Sequence, residues 1–114
     1  MVSKLAQLIA KKEGFGIPGA IPTRRNNPGD LRHSPHSSHE GIGPNDIGII
    51  DTVEHGWEDL ERQLQLYAQR GYTLRKCIEA WAPPSENDTE SYVQFVCKGL
   101  GVPDTTLVKD ALKL

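Results

Sequence analysis

A chain of 114 residues with 37% apolar and 25% charged side chains, 11 Gly and 8 Pro has enough apolar mass for one core and too little length for two. Its 13 Lys and Arg against 15 Asp and Glu leave a net charge of −2, which excludes the global basic field of a non-specific nucleic-acid binder. No stretch is apolar enough to span a bilayer, and Met1-Val2-Ser3-Lys4 opens without a secretory signal. The expectation is therefore one soluble, loop-rich domain, monomeric, made in the cytoplasm, with no nucleic-acid partner and no membrane insertion.

Ser3 is placed to cap a first helix over residues 4–13, with Leu5, Leu8 and Ile9 on one face and Gly14 supplying a left-handed stop. The helix ends on Glu13. The negative end of a helix dipole disfavours a carboxylate and favours its protonated form, so Glu13 is poorly placed for stability and well placed to be a general acid.

Residues 15–51 are rich in Gly, Pro, Ser, His and Asn, and Pro18, Pro22, Pro28, Pro35 and Pro44 exclude a regular helix. Asp30-Leu31-Arg32 and Ile47-Gly48-Ile49-Ile50 are the expected strands of a small antiparallel sheet. That sheet would be the second wall of a cleft whose first wall is the Glu13 helix. Arg24, Arg25, Asn26, Asn27 and Arg32 make a polar, partly cationic cluster suited to sugar hydroxyls, acetamido groups or a lactyl carboxylate. For Asn27 a turn-forming role ahead of Pro28 is equally open. His33, His36, His39 and His55, with Glu40 nearby, do not have a spacing that fixes metal geometry in a Ser- and Pro-rich loop, so an exposed, mobile loop without metal or other cofactor is expected.

The remaining chain reads as helices. Asp51 or Thr52 caps a long one with Val53, Trp57, Leu60, Leu64 and Tyr67 inward, and Thr73 caps another with Leu74, Cys77, Ile78 and Trp81 inward, stopped by Pro83-Pro84. Asn87 and Glu90 suggest a capping box for a helix with Tyr92, Val93, Val96 and Leu100, closed by Gly99 and Gly101; Asp104 or Thr105 starts a last one. Glu86 or Asn87 could also reach the cleft and position a sugar, after any capping role. Cys77 and Cys97 are expected as buried thiols outside any redox or metal spacing. The whole is a predominantly helical α+β domain over 1–114, with a first helix (1–14), a loop and small-sheet lobe (15–51) and a helical lobe (52–114). No phosphate-binding glycine loop, Gly-x-Ser-x-Gly elbow or metal-binding helix motif occurs, which removes kinase, nucleotide-binding and serine-hydrolase readings.

Four segments together, Lys12-Glu13-Gly14-Phe15, Arg25 to Arg32, Ile50 to Trp57, and Trp81 to Thr89 followed by Tyr92-Val93, resemble the lysozyme-like superfamily, close to phage-encoded muramidases and lytic transglycosylases. The resemblance implies a lysozyme-like fold whose cleft carries the catalytic glutamate at the end of the first helix, matched by Glu13. It implies peptidoglycan as substrate, cut between N-acetylmuramic acid and N-acetylglucosamine, at the cell wall, by a phage endolysin or virion-associated protein. The hydrolytic phage enzymes usually add an Asp and a Thr soon after the Glu; here residues 14–25 contain no Asp and only Thr23. That departure favours a lytic transglycosylase, in which one group serves as acid and then as base, with Asp30 or Asp51 as electrostatic assistants. The competing readings are a non-catalytic glycan-binding or structural module of a phage particle or envelope assembly, and a helical interaction domain with a metal-binding histidine loop.

Overall fold

Apolar residues at helical spacing draw the first and fifth helices together at the centre of the molecule. In the computed structural model, which describes residues 2–38, 47–84 and 88–114, α1 (Lys4–Glu13) packs on α5 (Thr89–Leu100) and on the long α3 (Val53–Gln69). The Ser3 side chain accepts a hydrogen bond from the Ala6 N–H at 3.1 Å, and Gly14 ends α1 at φ 93°, a conformation glycine adopts without steric penalty. Leu5, Ile9, Leu60, Leu64, Ile78, Val93 and Val96 are fully buried in one core. Each such side chain contributes about 1.5–3 kcal/mol of hydrophobic free energy relative to exposure.

The expected helices α3 and α4 (Leu74–Trp81) form with the anticipated caps, since Thr52 accepts from the His55 N–H and Thr73 from the Lys76 N–H. The start of α5 differs from expectation: its N-cap is Asp88, which accepts from the Ser91 N–H, and not Asn87. Gly99 lies inside α5 rather than at its end, because α1 comes so close there that a Cβ on Gly99 would sit 2.7 Å from Leu8 Cδ2. The last helix, α6 (Val108–Ala111), begins later than Asp104 or Thr105, because residues 104–107 are used otherwise. Thr106 and Asp104 carbonyls accept from the Leu74 and Arg75 N–H groups, and Asp104 also pairs with the Arg75 side chain.

The small lobe is α2 (Ile21–Arg24) and a two-stranded antiparallel sheet of β1 (Ser37–Ser38) and β2 (Ile49–Ile50), with Ser37 opposite Ile50 and Ser38 opposite Ile49. Pro22 is tolerated in α2 because it stands in the first turn, where its missing N–H is not needed. The architecture is thus α+β and mostly helical. Asp30-Leu31-Arg32 is not a strand: Asp30 takes a left-handed φ of 52°, and both backbone groups of Leu31 bond to the Asn27 side chain. The Leu31 carbonyl still accepts from the Gly48 N–H at 2.9 Å, so the two segments expected to pair do touch, through one backbone bond beside a side-chain clasp. No helix among the described residues is long and apolar enough to cross a membrane.

Candidate active site

Residues 25–32 reach the end of α1 because they are fastened to 47–50 and to α3. Asn27 is wholly buried; its Nδ2 donates to the Leu31 and Gly48 carbonyls at 2.8 and 2.9 Å, and its Oδ1 accepts from the Leu31 N–H at 2.9 Å. A side chain so engaged is a structural clasp, the turn-forming role open to Asn27. Asn26 likewise donates to the Ile50 carbonyl at 3.1 Å, and Arg25 donates through Nη1 to the Ile47 carbonyl at 2.6 Å. Asn26 has φ 52°, a left-handed conformation that Asn accepts more readily than most residues. Gly56, in the first turns of α3, is obligatory for this approach: a Cβ there would fall on the Asn26 carbonyl oxygen and lie 2.8 Å from Pro28 Cδ. Across the loop, Trp81 Nε1 donates to the Gly29 carbonyl at 3.1 Å, and Thr89 Oγ1 donates to the Ala82 carbonyl at 2.6 Å.

These fastenings place Asp30 where its carboxyl acts on that of Glu13. Burial is the largest influence on Glu13 and pushes its carboxyl above the usual carboxylate range. The Tyr92 hydroxyl, donating to Glu13 Oε2 at 2.7 Å, opposes this; the Asp30 charge and the Asp30 contact reinforce it, and Lys12 opposes it more weakly. Asp30 is also raised by burial, with the Glu13 contact, Arg32 and Arg25 pulling it down. Burial raises both groups, and the Asp30 charge adds to the rise at Glu13. Asp30 Oδ1 is buried and accepts no hydrogen bond among the described residues. A half-buried glutamic acid with a raised affinity for its proton is a group able to deliver that proton and take it back.

The other expected site residues fall in different places. Arg25 and Arg32 bear on Asp30 and help hold it ionised. Asp51 is exposed, accepts from the Thr52 N–H, and bonds the His55 ring at 2.7 Å at the start of α3. Glu86, Asn87, His39 and Glu40 lie outside the described residues. The Thr23 hydroxyl accepts from the Gly16 N–H at 2.9 Å and serves the loop. Tyr92 is the member the sequence reading placed only in the core; a tyrosine on an inward helix face, where its hydroxyl must find a partner, was the available signal.

A groove of about 520 Å³ runs along α3, lined by residues that include Val2, Trp57, Glu58, Glu61 and Arg62 but not Glu13 or Asp30. At its edge the histidine loop departs from expectation. His36 is half-buried and packed, not loose: its backbone N–H donates to Asp59 Oδ2 at 3.0 Å, its Nδ1 lies 2.6 Å from Asp59 Oδ1, and its ring stacks on His55 with centroids 3.9 Å apart. Cys77 and Cys97 are buried free thiols, as expected, and burial pushes the Cys77 thiol up to about 12.

No protein-family model and no solved structure matches this chain. It is similar to Protein P5 of Pseudoalteromonas phage PM2, with 31% identity over 96 residues, covering 76% of this chain and 59% of that protein. The chain thus spans less than two thirds of the length of its phage relative.

Proposed function

We propose that this chain is a peptidoglycan-cleaving enzyme with a lysozyme-like fold, cutting the glycan between N-acetylmuramic acid and N-acetylglucosamine with Glu13 as acid and base. The observation that carries this reading is Glu13 at the end of α1, its carboxyl raised by burial and by Asp30, bonded by the Tyr92 hydroxyl and faced by the clasped 25–32 loop. A glycosidic oxygen is a poor leaving group and needs a proton from an acid that has kept one near neutral pH. In the proposed reaction Glu13 gives its proton to the leaving oxygen as the C1–O bond breaks. The positive charge that develops on the sugar ring is met by the Asp30 carboxylate. Glu13, now ionised, takes the proton of the muramic C6 hydroxyl as that oxygen bonds to C1, which closes a 1,6-anhydro ring and restores the acid.

Transglycosylation is preferred to hydrolysis because residues 14–25 contain no Asp to follow Glu13, and a transglycosylase needs no second carboxylate when one group acts first as acid and then as base. The similarity to a phage protein is in keeping with an endolysin or virion component that acts at the cell wall.

The reading is tested by mass spectrometry of muropeptides released from purified peptidoglycan by the wild-type chain and by Glu13→Gln. Anhydro-muramic products that disappear in the variant are the expected result. Reducing-end products would mean a hydrolase, and retained glycan binding without any product would leave a non-catalytic module.

A further inference from the structure

Glu54, Trp57, Glu58, Glu61, Arg62 and Gln65 follow one another along α3 at alternating steps of three and one, so all leave one face of the helix. A charged helix face is ordinarily a solvated surface. Here it walls the groove of about 520 Å³, which Val2 also lines. Glu61 Oε1 accepts the Ser3 N–H at 2.7 Å, a bond that brings the start of the chain against α3. Trp57 is half-buried, and its ring meets Phe15 edge to face with centroids 5.4 Å apart. The ring is therefore a fixed wall, and a ligand laid on it orders nothing new.

The groove joins two properties that a solvated face lacks. The surface it exposes is mostly apolar, and its charged lining is three glutamates against one arginine, a formal excess of two negative charges. Such a site repels phosphates, nucleic acids and anionic membrane surfaces, and a neutral sugar gains nothing from the excess charge. It suits a ligand with an apolar body and a positive head, which is the build of an arginine or lysine side chain. A guanidinium or ammonium is attracted both to the face of a tryptophan and to carboxylates. The volume falls within the range of about 300–1,000 Å³ typical of ligand pockets, so it admits a short segment and not a whole protein face.

We propose that this groove binds a short basic peptide segment of a partner protein, with an arginine or lysine among Glu54, Glu58 and Glu61 and a neighbouring apolar side chain on Trp57 and Val2. Neither Glu13 nor Asp30 lines the groove, and the proposal does not depend on the reaction assigned to them.

The test is an NMR titration of the full chain at pH 7.5 with a blocked pentapeptide of alternating leucine and arginine. Saturable shifts should appear at the Trp57 indole N–H and at backbone amides of residues 54–65. Glu54→Gln, at an exposed position, should weaken binding about two- to fivefold, and Glu54→Gln with Glu58→Gln about tenfold. Arg62→Gln removes the competing cation and should tighten binding by a similar factor. Glu79→Gln, on α4 outside the groove, should leave the affinity unchanged. A pentapeptide with serine for leucine should bind several-fold more weakly, and one with glutamate for arginine should not bind. No saturable shift along residues 54–65 would overturn the proposal. So would equal binding of the serine peptide, or a loss in Glu79→Gln as large as in Glu54→Gln, since either result means attraction to net charge alone.

Discussion

Two regions beside the small lobe bury carboxyl groups, and their carboxyls move in opposite directions. At the end of α1, Glu13 and Asp30 face each other, and burial pushes both above the usual range. In α3, Asp59 is more deeply buried, at 2% exposure, yet its carboxyl lies below the usual range. Burial alone would raise it, but the polar groups of Ser34 and His36, including the His36 N–H, outweigh that. Burial pushes every one of these carboxyls up, and the neighbours set the net direction: at Glu13 the Asp30 charge adds to burial, and at Asp59 hydrogen-bonding groups outweigh it. The first is a chemical reagent and the second is a support.

The largest expected consequence of this difference is catalytic. Glu13→Gln removes the proton donor and should lower the rate of glycan cleavage by about 10²–10⁴-fold, measured as soluble muropeptide released. Asp59→Asn should leave the chemistry within a fewfold of wild type, so equal losses from the two variants would erase the distinction.

The next consequence has opposite signs in the two regions. Asp59→Asn should destabilise the fold by about 1.5–3 kcal/mol, because a buried acceptor loses hydrogen bonds made to its charged form. Glu13→Gln should stabilise it at neutral pH. The sign follows from the upward shift of Glu13. A raised carboxyl contributes stability that is fully present below its unfolded value of about 4.3 and is lost as pH rises through the folded value. The thermal melting point of the variant should thus exceed that of wild type at pH 7.5, and the gap should close near pH 4.

Smaller, but more specific, is a pair of displacements in the pH profile of cleavage. Asp30→Asn, which keeps a residue tolerant of the left-handed φ of 52°, removes the charge that holds the Glu13 proton, so the basic limb should move to lower pH. Tyr92→Phe removes a hydrogen bond that favours ionised Glu13, so the basic limb should move to higher pH, with a rate change of about fivefold for a bond worth ~1 kcal/mol. Displacement of both in one direction would show that the limb does not report Glu13.

Much of the frame was legible because it rests on local rules. Ser3, Thr52 and Thr73 cap where a hydroxyl precedes an apolar period, and Gly14 stops α1 where a left-handed residue is needed. Glu13 was legible because a helix end is an unusual place for an acid. What was not legible depends on approach between distant segments. Gly56 and Gly99 are glycines because another chain element lies against them, which nothing in their own neighbourhoods announces. Asp30-Leu31-Arg32 has the look of a strand, but the buried Asn27 amide takes both backbone groups of Leu31 and bends the chain instead. His36 and His55 are far apart in sequence, and only the docking of the loop on Asp59 stacks them.

The central claim, that burial reinforced by the facing Asp30 raises the Glu13 carboxyl, is open to direct measurement by carboxyl ¹³C NMR titration of Glu13 in the wild-type chain and in Asp30→Asn. The account predicts that Glu13 in the wild type titrates above the ordinary glutamate range and moves down when Asp30 loses its charge. A Glu13 that titrates near an ordinary glutamate, about 4.3, and does not respond to Asp30→Asn would contradict it.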